Sequence, residues 1–163
     1  MKALFCTDGS DASLYAIEKA LNFLKTDSQI YLVNVMDWGF LPTYVTFPQE
    51  EEVGYPERKN AAELILERTK ALIESKGYKV SDSNYFSGRP ADEILELIKT
   101  EGYELVVLGS HGKKGVGKWL GSVSRVVVTK SPAPVFIARP PKNLIGLSEK
   151  LSKKVLFAVD GSE

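Results

Sequence analysis

The residues best placed to do chemistry crowd into one stretch, "VVLGSHGKKGVGKWLGSVSR", residues 106 to 125. It places five glycines within thirteen residues, beside three lysines (Lys113, Lys114, Lys118) and the chain's single histidine, His111. Glycines let backbone N–H groups come close to an anion, and a serine near the start of the following helix adds a hydroxyl donor. Phosphate binding is therefore the chemistry to test. A second polar cluster, "TDGSD" at 7–11, holds Asp8, which either contacts a ligand or caps a helix and stabilises a turn. His111 has no nucleophile and acidic partner at a recognisable spacing, so the pattern points to a loop-lining role and not to catalysis or metal ligation.

Two standard phosphate loops fail, one on residue type and one on spacing. Gly112 to Lys118 fit the Walker A pattern until its last position, where Trp119 replaces the hydroxyl that holds Mg²⁺. Gly115, Gly117 and Gly121 are one residue too far apart for a dinucleotide fingerprint, and they follow a fourth strand instead of a first.

The elements that must position these clusters alternate along the chain. Apolar runs at 2–7 and 29–35 read as strands, as does the more polar "YKVSDSNYF". Asp11 opens a helix whose stripe is Ala16, Ala20, Phe23 and Leu24. Residues 57–76 form a second helix ending at Gly77, and a third runs from Pro90 to Gly102, with Asp92 and Glu93 at its positive end. "YELVVLG" is apolar throughout, as in a strand buried on both faces. Leu120, Val123 and Val127 then repeat at helical spacing until "SPAP", and "VFIA" at 135–138 is a fifth strand. The expected fold is α/β, an open, doubly wound, five-stranded parallel sheet with helices on both faces. Such sheets bind ligands beyond the carboxyl ends of their strands, where both polar clusters fall. The segment from 37 to 56 is aromatic and broken by prolines; Trp38, Phe40, Tyr44 and Phe47 form a lid, meet a partner, or pack on the core.

Composition narrows the class. The 163 residues are 44% hydrophobic and 26% charged, with zero formal net charge, which disfavours nucleic acid and anionic membrane as partners. One cysteine, Cys6, excludes an internal disulfide and suits a reducing compartment. The N-terminus lacks a signal-peptide pattern, and no run approaches a membrane span, so the expected location is cytoplasmic. "KALFCTDGSD" at 2–11 recurs as "KVLFAVDGSE" at 154–163. This divides the chain into a domain at 1–139, a linker at 140–152 and, at 153–163, the first strand of a truncated second repeat.

The element order, "TDGSD", and "VVLGSHG" leading to "LGSVSRVVVTKSPAPVFIARP" together resemble the universal stress protein family over nearly all of 1–139. The restart at 154 resembles its tandem form. The resemblance implies a stress-response module that binds ATP, with Mg²⁺ brought by the nucleotide, and that is not an enzyme beyond slow hydrolysis. It places Asp8 near the nucleoside with Cys6 and Thr7 beside it, and the Val35 backbone at the adenine edge. Gly109, Ser110, His111, Gly112 and Lys113 fall at the first signature glycines, and Gly121, Ser122 and Val123 at the last pair. It also implies a homodimer through the last strand, at Val135, Phe136 and Ile137, a contact that a second repeat would make within one chain. Two positions depart from the pattern. Cys6 stands where proline is common, and eight residues separate Gly112 from Gly121 where nine are usual. That deletion turns Gly121 and Ser122 by about 100° around any helix that starts before them. The alternative it favours is an interaction and dimerisation domain of the same fold that binds no nucleotide.

Overall fold

A computed structural model describes residues 1–37, 55–112 and 120–141. Its elements are β1 (Lys2–Cys6), α1 (Asp11–Leu21), β2 (Gln29–Asp37), α2 (Tyr55–Ser75), β3 (Val80–Gly88), α3 (Pro90–Glu101), β4 (Leu105–Gly109), α4 (Ser122–Lys130) and β5 (Val135–Ala138). The strands form one sheet in the order β3-β2-β1-β4-β5, and every pairing is parallel. The expected doubly wound α/β architecture is present.

The two-residue period of β1 explains both layers. Ala3 and Phe5 join Ala16, Ile17, Leu66 and Ile73 in a core under α1 and α2. Leu4 and Cys6 join Ile94, Ile98 and Val127 in a second core under α3 and α4. A central strand buried on both faces needs apolar residues at consecutive positions, and Val106 and Val107 of β4 are both fully buried. β3 is more polar because it is an edge strand with β2 as its one neighbour.

Helix ends follow their local chemistry. Pro90 stands at the start of α3, where its missing N–H has no helical acceptor to lose, and Gly102 closes the helix at φ 65°. α4 stops at Lys130, just ahead of "SPAP".

Several boundaries differ from the sequence reading. β2 continues through Met36 and Asp37 to pair with β3, and α2 begins at Tyr55, so both flanks of the expected loop are ordered. α1 ends at Leu21, and Phe23 lies beyond it, 60% exposed, with its ring centroid 5.8 Å from that of Phe136. Leu120 precedes α4 and is exposed, while the buried stripe of that helix is Ser124 and Val127. In both cases the helical period extends in the sequence beyond the helix itself, past its end at Phe23 and ahead of its start at Leu120. The aromatic residues Trp38, Phe40, Tyr44 and Phe47, the lysines at 113, 114 and 118, and the segment 153–163 lie outside the described residues. No helix among the described residues is long and apolar enough to cross a membrane.

Candidate functional site

From β1 the chain moves outward through β2 to β3 on one side, then crosses back from β3 to β4 and β5 on the other. The crossovers therefore diverge at the carboxyl ends of β1 and β4, opening a crevice between them. A cleft of about 490 Å³ occupies that crevice.

The β1 side is a turn held by its own side chains. The Asp8 carboxylate accepts from the Ser10 N–H at 3.0 Å and from the Ser10 hydroxyl at 2.6 Å. Ser10 is also the N-cap of α1 and accepts from the Ser13 N–H at 3.3 Å. The Thr7 hydroxyl accepts from the Gly9 N–H at 3.1 Å and lies 3.4 Å from the Thr69 hydroxyl of α2. Gly9 takes φ +72°, a left-handed backbone that suits glycine, and a Cβ there would meet the Ile65 side chain at 3.0 Å. The choice between turn and ligand roles for Asp8 thus has a partial answer: the carboxylate organises the turn while lining the cleft.

The β4 side is built from glycines. A Cβ on Gly109 would lie 2.7 Å from Ser13 N and 2.9 Å from Ala12 C, so this glycine lets β4 pack against the first turn of α1. A Cβ on Gly112 would lie 2.7 Å from Asp8 Oδ2, which brings the two polar clusters together. The Gly121 N–H donates to Ser110 O at 2.8 Å, and Ser124 Oγ donates to Gly109 O at 2.7 Å, tying α4 onto the end of β4. Gly121 is the N-cap of α4 and offers no side-chain acceptor. The N–H groups of Ser122, Val123 and Ser124 consequently have no hydrogen bond to any described residue. α4 begins at Ser122, so the shorter spacing before Gly121 falls ahead of the helix and cannot rotate Gly121 and Ser122 around it.

Of the residues singled out from sequence, Cys6, Thr7, Asp8 and Val35 line the cleft from one side. Gly109, His111, Gly112, Gly121, Ser122 and Val123 line it from the other. Ser110 is buried behind the lining, and Lys113 is outside the described residues. Thr7 is 4% exposed, with its hydroxyl committed to the turn. Burial pushes the Cys6 thiol far above its usual range, which makes it a packing group and not a nucleophile.

Sequence reasoning missed Val33, Asp37, Pro90 and Ile94, which complete the wall toward β2 and α3. Val33, Val35 and Asp37 share one face of β2 by strand alternation, a signal that was available once Val35 had been picked out. Pro90 and Ile94 carried no such signal, because their place depends on how α3 crosses the sheet. The contact between Ser110 Oγ and His111 Nδ1 at 2.8 Å was also missed, since adjacent residues reveal nothing of side-chain direction.

The profile describing the universal stress protein family matches residues 1–139. A universal stress protein of Methanocaldococcus jannaschii is 32% identical over 145 residues, covering 86% of this chain and 83% of that protein. Universal stress protein YxiE of Bacillus subtilis is 33% identical over 147 residues, 85% and 98% of the respective chains. The solved structure of another Methanocaldococcus jannaschii universal stress protein superimposes with a TM-score of 0.70 at 27% identity, over 87% of this chain and 97% of that one. An Arabidopsis thaliana member of the same fold, solved with AMP bound, superimposes with a TM-score of 0.65 at 19% identity, over 87% of this chain and 93% of that one.

Proposed function

The chain belongs to the universal stress protein family, and from that premise we propose that it is a stress-response regulatory module that binds ATP in the cleft at the carboxyl edge of its sheet. The observation that carries this reading is the meeting, in one cleft, of an apolar wall, a carboxylate turn and an uncapped helix N-terminus. The volume of about 490 Å³ is that of a small-molecule site. Val33, Val35 and Ile94 suit a purine, and Asp8 and Asp37 suit ribose hydroxyls. The open amides of α4 suit phosphates, which the helix dipole also favours. The family fold carries AMP in the Arabidopsis thaliana protein, which agrees with the reading. In this reading Mg²⁺ enters with the triphosphate.

Binding satisfies the first turn of α4 and biases assembly through β5. That strand is at the sheet edge with β4 as its one neighbour, and Val135, Phe136 and Ile137 are half-buried there. A homodimer pairing these edges would cover Phe136 and the exposed Phe23 beside it. Light scattering of the purified protein reads this directly, and a monomer with and without ATP overturns it. The domain at 1–139 is the binding unit in this reading, with 140–152 as linker and 153–163 as the start of a second repeat, so deleting 153–163 leaves nucleotide affinity unchanged.

The deciding experiment denatures the purified protein and chromatographs what is released. Near-stoichiometric adenine nucleotide, absent from a folded Gly112→Val variant, supports the site. Neither released nucleotide nor a thermal shift with Mg·ATP overturns it and leaves the interaction-domain alternative.

A further inference from the structure

We infer that His111 is an Nε2–H hydrogen-bond donor for the anionic group of the ligand, with its tautomer set by Ser110. The ligand part of this inference rests on the nucleotide reading above; the tautomer part does not. Ser110 directly follows β4 and is 1% exposed, so bulk water does not reach its hydroxyl. A buried hydroxyl proton needs an acceptor. His111 Nδ1, 2.8 Å away, is the acceptor that the described residues supply. Ser110 therefore donates and Nδ1 accepts, and a neutral imidazole that accepts at Nδ1 carries its proton at Nε2.

The ring geometry then gives that proton a direction. Nδ1 and Nε2 lie on separate edges of the imidazole, so turning Nδ1 toward buried Ser110 turns Nε2 away from it. His111 lines the cleft, and no described residue is hydrogen-bonded to its Nε2. The backbone fixes the same residue against α4. Ser110 O accepts from the Gly121 N–H at 2.8 Å, and a Cβ on Gly121 would lie 3.2 Å from His111 Cα. The His111 backbone is thereby held against Gly121, the residue that precedes the open N–H groups of Ser122, Val123 and Ser124. These are all donors, and their natural partner accepts without donating: a phosphate oxygen. The Asp8 carboxylate, next to Gly112, is the competing acceptor in the apo protein.

Because the chain has one histidine, its ring nitrogens can be read without assignment ambiguity. Long-range ¹H–¹⁵N spectra of the ¹⁵N-histidine protein above the histidine titration range should show the Nε2–H tautomer. Ser110→Ala should give a mixture of tautomers. Saturating inorganic tripolyphosphate, and ATP, should shift Nε2 in the wild type, whereas adenosine should not. His111→Phe should weaken tripolyphosphate and ATP about tenfold, the loss of one hydrogen bond to a charged group, and leave adenosine unchanged.

An Nδ1–H tautomer in the wild type overturns the inference, whether or not Ser110→Ala folds. So does an Nε2 signal that both phosphates leave unmoved, or one that responds only to Asp8→Asn. Equilibrium dialysis separates the two readings. If ATP does not bind while tripolyphosphate still shifts Nε2, the nucleotide reading falls and the histidine inference stands. If ATP binds without disturbing Nε2, the reverse holds.

Discussion

Two strand-to-helix connections meet at the cleft, and they solve the same problem in opposite ways. After β1, the turn satisfies its own polar groups: Ser10 caps α1 and holds the Asp8 carboxylate, and Thr7 takes the Gly9 N–H. After β4, no described side chain caps the helix, and α4 starts from a glycine with its first amides bonded to no described residue. The first connection keeps its shape without a ligand. The second leaves donors that no described residue satisfies, which in the proposed function receive a bound anion. The contrast teaches that the β1 turn is the self-satisfied side of the cleft and the α4 start the side that the proposed function makes its receptive end.

The largest expected effect tests the seam between the two connections. Gly109→Ala drives a methyl into the backbone of Ala12 and Ser13, which cannot turn aside as a side chain can. It should lower the unfolding free energy by about 1–3 kcal/mol in urea titration. An unchanged midpoint would show that α1 and β4 are not packed as described.

Gly112→Val should separate binding from folding. Its nearest obstacle is the Asp8 carboxylate end, which can swing away. Stability should change little, while calorimetric affinity for Mg·ATP falls tenfold or more, about 1.4 kcal/mol. Equal losses in both would mean that Asp8 serves the turn alone.

Capping gives a smaller and sharper contrast. Ser10→Ala removes the α1 cap and should cost about 1 kcal/mol. Ser122→Ala, at the start of uncapped α4, should stay within about 0.5 kcal/mol by thermal melting in the absence of ligand. If Ser122→Ala proves as damaging as Ser10→Ala, the asymmetry between the two helix starts is wrong.

The smallest effect concerns Cys6. Its buried, protonated thiol should react with iodoacetamide only as fast as the protein opens. Labelling of the native protein at the rate of a free thiol at pH 8 would contradict the packing of β1 against α3.

How much was legible varied with how local the cause was. The alternation of strands and helices could be read because each element carries its own period and its own punctuation: Pro90 and Gly102 bracket α3 as their backbone preferences require. The errors arose where a period outran its element, as at Phe23 and Leu120, because hydrophobic spacing does not register where the backbone turns. Asp8, Val35, Gly112 and Gly121 were legible as candidates, since their types and order match a known pattern. Pro90 and Ile94 were not, because α3 reaches the cleft from some fifty residues along the chain from Val35.

The sequence by itself determined the parallel α/β class and the two polar clusters at strand ends, because backbone propensity and side-chain period are properties of neighbouring residues. Only the tertiary structure decided that Gly109 is a packing glycine, that Asp8 reaches Gly112, and that Ser110 grips His111. The first two depend on the distance between segments about a hundred residues apart. The third depends on which way two adjacent side chains point once one of them is buried.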